Sequence, residues 1–376
     1  MEDTEILNQG DQHPDHQDIA EFILDHNALY ESQQMLVDIA EHIAAADGFS
    51  VAFESIALEG IGETIKAYWE KFVAFLKKIW EKIVKFFELH FTTLGRQRLH
   101  INRMVKKVKA IATNPGVYQH LEKTKGPMSI PEYSTQSFFF NNQAVSNYEQ
   151  LLAGLEKTNV AVKLVTEDYS KYITNRGAVI GKALLAAKGE NAQGILSRVT
   201  EELTNQGFNH SPAFMLGNVE VKYGAESEAG EGALDSHRLV LIQRKVTDHV
   251  IHFQPMKITE LAKVYETMEQ ILNTVDAFKG GEYKTIIDQA RSMMTSTEQF
   301  VKAVGTGDGS EGNMAAYREL MALNKHYLNW IKAPTTDLIR FLTETFFYVS
   351  REAEHNILLY EERSARNLFT VLGLMP

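Results

Sequence analysis

Apolar residues recur at three- and four-residue steps through Ile61, Ile65, Tyr68, Phe72, Leu76, Ile79, Ile83 and Phe86, the strongest periodicity in the chain. That spacing predicts one helix over 61–91 with a single apolar face. Trp69, Val73, Trp80, Val84 and Phe87 widen the face, while Lys66, Lys71, Lys77, Lys78, Lys82 and Lys85 keep mainly to the opposite side. Glu81 stands four residues before Lys85, the favourable orientation for a helical ion pair. Upstream, Ile19, Phe22, Ile23, Leu29, Met35, Leu36, Ile39 and Ile43 predict one or two acidic amphipathic helices between Asp18 and Ala46, broken near Asp47-Gly48.

Asn114-Pro115-Gly116 and Gly126-Pro127 punctuate the chain after the basic helix, and Phe138-Phe139-Phe140 reads as an apolar anchor in the core. Helical spacing returns over roughly 143–185 and 190–205. The period then becomes two in Val219–Tyr223, Arg238–Ile242 and His249–Phe253, which predicts three strands of a small antiparallel sheet. An acidic, glycine-rich loop, Gly224–Gly232, separates the first two. From Lys257 onward the pattern is helical, interrupted at Gly280-Gly281 and at Gly305–Gly312, with a last long helix expected from Thr336 to Leu368. The fold class expected is mainly α: long antiparallel helices with a small antiparallel β-insertion at about 214–256. The organisation read from the chain is a leader at 1–59, a helical region at 60–213, the β-insertion at 214–256 and a long-helix region at 257–376.

Charge sharpens the first of these boundaries. Residues 1–59 contain 14 Asp or Glu and no Lys or Arg, which exceeds the net charge of −11 for all 376 residues, so residues 60–376 carry +3. A step of this kind marks an acidic leader built for removal or for a separate task, expected to share little apolar surface with the rest. Residues 1–18 are polar and read as a flexible start. Gly60–Ala110 holds 12 basic and 4 acidic residues, because Arg96, Arg98, Arg103, Lys106, Lys107 and Lys109 continue the lysine run.

Composition removes several kinds of chemistry. With no Cys there is no disulfide, thiolate metal site or cysteine nucleophile. The acidic start lacks the basic end of a secretory signal, and no stretch approaches about 18 uncharged apolar residues. Gly305–Gly312 has no lysine and Gly181-Lys182 is followed by Ala183, so no phosphate-binding loop of the Gly-Lys-Ser/Thr type is present. Neither a Gly-x-Ser-x-Gly elbow nor a His-Glu-x-x-His pair occurs. His249 and His252 fall on opposite faces of a predicted strand, and Asp11, His13, Asp15, His16 and Asp18 lie in a segment without a rigid frame. The adjacent pairs Glu201-Glu202 and Glu361-Glu362 point apart on a helix and read as solvated faces. No enzyme, cofactor or metal is expected.

The basic helix leaves three readings. Its apolar face, with Trp69, Phe72, Leu76, Ile79, Trp80 and Ile83, is expected to pack in the core. The alternative is a membrane-active helical protein whose 60–92 segment lies in a bilayer interface. The third reading is non-specific contact of Lys77, Lys78, Lys82, Arg96, Arg98, Arg103, Lys106 and Lys107 with DNA or another anionic surface.

The run Phe53-Glu54-Ser55-Ile56-Ala57-Leu58-Glu59-Gly60, followed by the aromatic, lysine-rich Ile65–Phe72, resembles the internal head proteins of giant tailed bacteriophages. The resemblance covers mainly residues 30–95. It implies a non-enzymatic virion structural protein of the capsid interior, placed in the procapsid by an acidic propeptide that a prohead protease removes. In that family the cut follows a small residue, any residue and Glu. Ala57-Leu58-Glu59 fits, giving a mature chain that starts at Gly60. Ala52-Phe53-Glu54, Ala229-Gly230-Glu231, Gly309-Ser310-Glu311 and Ser296-Thr297-Glu298 match the tripeptide too, but of these matches Glu59 stands nearest the end of the segment without basic residues, just ahead of Lys66. A cut after Glu54 would be an earlier one. The partners implied are the prohead protease and other capsid or internal head proteins, with packaged DNA as a non-specific contact. The location implied is the inside of the capsid, and the host cytoplasm during assembly.

Overall fold

The computed structural model describes residues 27–28, 30–31, 33–42, 45, 62–114, 118–120, 127–187, 191–224, 234, 236–246, 250–304, 311–357 and 360–362. Its body is a set of long helices: α1 (Gly62–Thr113), α2 (Tyr148–Lys163), α3 (Ser170–Ala186), α4 (Ala192–Asn205), α5 (Ile258–Gly280), α6 (Glu282–Val304) and α7 (Glu311–Ile357). The expected mainly α class holds, and among the described residues the β-structure is confined to antiparallel pairings of two or three short strands.

α1 continues well past the predicted 61–91 because Leu94, Ile101, Val105, Val108 and Ile111 prolong the buried stripe to its last turn. α1 packs against α5, α6 and α7, while α3 lies against α6, α7 and α4. A turn of π-helix, Leu164–Tyr169, joins α2 to α3 without a break. Asn147 starts α2 by accepting a hydrogen bond from the backbone N–H of Gln150 at 3.0 Å. Glu260 starts α5 by reaching back to the Lys257 N–H at 2.8 Å. Where α3 crosses α7, Gly177 faces Tyr327 so closely that an added Cβ would stand 2.6 Å from the ring.

The three-stranded sheet has the order β5 (Ala213–Met215), β6 (Val219–Tyr223), β7 (Leu239–Gln243). Two of its strands match the period-two reading. The third does not: β8 (His252–Phe253) leaves the sheet and pairs with β2 (Met128–Ser129), and Ala213–Met215 takes the place expected for 249–253. Alternation tells which side chains face inward, not which strand lies alongside, and Ile251 is drawn away by accepting the Ile130 N–H at 2.9 Å. A hairpin of β3 (Phe139–Phe140) and β4 (Gln143–Ala144) turns on Asn141 and Asn142, both at positive φ, as a two-residue loop requires. Asn218 ties this hairpin to the sheet: its Oδ1 accepts the Asn142 N–H at 2.7 Å and its Nδ2 donates to the Arg244 carbonyl at 2.9 Å. Phe138 and Phe139 are buried, as expected for an anchor.

The C-terminal helix departs from its expected bounds at both ends. It begins at Glu311, passes through Pro334 and stops at Ile357. Beyond it, β9 (Tyr360–Glu362) pairs antiparallel with β1 (Tyr118–His120), which removes the Glu361-Glu362 pair from any helix. The rest of the predicted stretch to Leu368 lies outside the described residues.

Candidate functional site

The apolar face of α1 is spent on packing. Phe72, Leu76, Ile79, Trp80 and Ile83 all belong to the central hydrophobic cluster, and the most exposed of them, Trp80, shows only 8% of its surface. Burying a side chain of this size stabilises by roughly 1.5–3 kcal/mol. The Trp69 side chain lies outside the described ones. The face that a bilayer would have to receive is thus filled by protein, and no described helix is long and apolar enough to cross a membrane.

The opposite side of α1 carries the cations, and the fold divides them. Lys77 pairs with Glu298 of α6. Arg98 pairs with Asp276 of α5 and donates to Asn273 Oδ1 at 2.8 Å. Lys109 stands 3.5 Å from Glu266 of α5. Arg96 donates to Thr93 Oγ1 at 3.3 Å within the helix. Lys78, Arg103, Lys106 and Lys107 face solvent. Exposed pairs of this kind each contribute about 0–1 kcal/mol, so their effect lies more in register and surface potential than in stability.

Lys82 is matched differently, by the leader. Residues 33–42 are helical, and the Lys82 ammonium sits 3.0 Å from Asp38 Oδ2. Ile39, one residue on, has no exposed surface and joins the central cluster, with Met35 and Leu36 partly buried against it. The His42 ring lies nearly parallel to that of Phe75, with centroids 5.9 Å apart, and its Nδ1–H donates to the Asp38 carbonyl at 2.7 Å. This corrects the expectation that the leader shares little apolar surface with the body. The spacing of Met35, Leu36 and Ile39 carried the signal of a buried face, but a short amphipathic stretch does not name what covers it. Ala57, Leu58, Glu59 and Gly60 lie outside the described residues, as does the Asp11–Asp18 cluster and His249.

The buried polar groups of the body hold structure together. Arg176, wholly buried, donates through Nη1 to the carbonyls of Leu203 (2.9 Å) and Gln206 (3.0 Å) at the end of α4, and lies 4.0 Å over the Trp330 ring. The negative end of a helix dipole and an aromatic face stand where a carboxylate would otherwise be needed. His90 of α1 meets Thr343 of α7 at 3.3 Å, and Gln97 donates to the Thr343 carbonyl at 2.9 Å. Among the described residues, no group of three or more His, Asp or Glu is placed to hold a metal ion. These groups knit helices together.

A family model described as phiKZ-like phage internal head proteins matches residues 27–347. The match begins inside the leader and runs across the charge boundary at Glu59. No curated protein and no solved structure matches the chain.

Proposed function

Because the chain belongs to the phiKZ-like phage internal head proteins, it is a structural component of the head interior, and we propose that residues 1–59 are a propeptide that targets it to the procapsid. A prohead protease removes that segment after Glu59, leaving a mature protein that begins at Gly60. The observation that carries this reading is the position of Ala57-Leu58-Glu59 at the close of a stretch with 14 Asp or Glu and no Lys or Arg, seven residues before Lys66, the first basic residue of the chain. An acidic segment confined to one end is suited to a task distinct from that of the body, because its charge is lost as a block when it is cut away. The role needs no catalysis; the buried polar residues described above are consistent with a packing protein of the head interior, in contact with other head proteins and, without sequence preference, with packaged DNA.

Mass spectrometry of the protein taken from purified virions tests the reading. The expected N-terminal peptide starts at Gly60, and abundant peptides from residues 1–50 would overturn it. Glu59→Gln should block processing, since a protease that recognises the carboxylate through charge-assisted hydrogen bonds loses them while side-chain shape barely changes. Cutting at an unchanged rate would exclude Glu59 as the recognition residue.

A further inference from the structure

We propose that residues 1–59, while attached, act as an intramolecular mask that keeps α1 off nucleic acid, and that their loss turns the protein into a non-specific binder of duplex DNA. The inference rests on the reading of that segment as a removable leader. Three observations carry it. The leader is docked on α1 through the wholly buried Ile39, the Asp38–Lys82 pair and the His42–Phe75 stack. It places the exposed Asp38 carboxylate against the first half of that helix, on a segment that also exposes Glu31 and Glu41. The second half of α1 belongs to a stretch, Leu89 to Leu121, that contains no acidic residue and presents Arg103, Lys106 and Lys107 to solvent.

The charge balance turns on the same segment. The full chain carries −11 and residues 60–376 carry +3, so the sign of the net charge reverses when the leader goes. A duplex presents one negative charge per about 1.7 Å of axis, and a protein of like sign is repelled before any local contact forms. Lys82 and Arg96 lie about 21 Å apart along the helix. That distance exceeds the roughly 8 Å screening length at physiological salt but not the roughly 30 Å at 0.01 M. The mask therefore acts by direct pairing at Lys82 and through the overall field further along, and it is strongest at low salt. Duplex DNA is favoured over an anionic bilayer because the apolar face of α1 is buried in the core. Only Coulombic contact remains available, which suffices for phosphates and not for an interfacial helix.

The test begins from the full chain carrying a specific protease site inserted between Glu59 and Gly60, cut after folding and freed of the leader by gel filtration. Binding to a labelled random-sequence duplex is measured before and after the cut. At 50 mM salt the cut protein should bind about tenfold more tightly, with a log–log salt slope of about −2 to −4; equal affinities would overturn the mask. In the uncut chain, Ile39→Glu adds an acid yet should tighten binding about threefold by undocking the leader, against the direction that net charge alone dictates. Unchanged or weaker binding would show that docking plays no part. Should that variant melt without cooperativity, Ile39→Ala, which weakens the docking without changing the net charge, decides the same question. Lys106→Gln combined with Lys107→Gln in the cut protein should reduce the slope by about 2, and an unaltered slope would remove α1 from the contact. Binding to anionic vesicles without binding to the duplex would overturn the choice of partner. None of these measurements uses the phage protease or the virion, so they stand or fall separately from the native N-terminus.

Discussion

His90 is held between α1 and α7 with almost no exposed surface, and burial first, then the nearby Arg340 charge, pushes its pKa down to about 3. Thr343 already donates its hydroxyl to the Ile339 carbonyl at 2.8 Å, so the neutral imidazole must donate from Nδ1 to Thr343 Oγ1, leaving Nε2 as an acceptor without a partner. A folded pKa below the unfolded value of about 6.5 means that protonation favours the unfolded chain. The stability associated with the neutral ring is complete above about pH 6.5 and is lost as pH falls from there toward 3, at a slope approaching 1.4 kcal/mol per pH unit. His90→Leu should flatten the fall in melting temperature between pH 6.5 and 4 relative to the parent; parallel curves would show that another group governs the acid limb. His355 has the opposite sign. The hydrogen bond to Glu352 raises its pKa, so its contribution is present below about 6.5 and fades as pH rises through the folded value. At Gly177 a methyl group has no room against Tyr327, and Gly177→Ala should destabilise by about 1–3 kcal/mol in a denaturant titration. Sequence reading found neither residue, because a histidine in an apolar stripe and a glycine in a helix acquire meaning only from the partner across the interface.

At the scale of elements, α7 shows why its start was misread. Pro334 lacks the N–H that would bond the Trp330 carbonyl one turn back, which ordinarily ends or kinks a helix. Here the Tyr169 hydroxyl donates to that carbonyl at 3.0 Å. Tyr169 is the last residue of the π-turn between α2 and α3, so one widened turn supplies what a proline in another helix removes. Tyr169→Phe should cost about 1–3 kcal/mol by leaving a buried acceptor unpaired. The cost should shrink in a Pro334→Ala background, where the helix can supply its own donor; an equal cost in both backgrounds would show that the carbonyl is not the point of coupling. The long amphipathic helices, the apolar triplet at Phe138–Phe140 and two of the three sheet strands were legible because each is written in local periodicity. The passage of α7 through a proline and the departure of β8 from the sheet were not, since both depend on residues more than 100 positions away in sequence.

For the whole molecule, the charge step at Glu59 was legible from composition and the leader's seat was not. The acidic and basic segments look separable in sequence, yet Ile39 is as buried as any residue of the body. Its loss removes about 1.5–3 kcal/mol of apolar burial. Removing residues 1–59 from the folded protein should therefore lower the melting temperature by about 2–5 °C while leaving a single cooperative transition. Calorimetry checks this, and two transitions or none would make the leader an integral part of the core.

The order of synthesis gives the same contact another meaning. α1 emerges from the ribosome long before α5, α6 and α7, the helices that bury its apolar face in the finished protein. At 5–20 residues per second, roughly 12–50 s pass between the end of α1 and the end of α7. Through that interval a helix bearing Phe72, Leu76, Ile79, Trp80 and Ile83 stands without its final neighbours. Of the described elements, only the helical segment at 33–42 has already been made when α1 appears. Its position at the front of the chain gives the nascent protein a covering for part of that surface before translation ends.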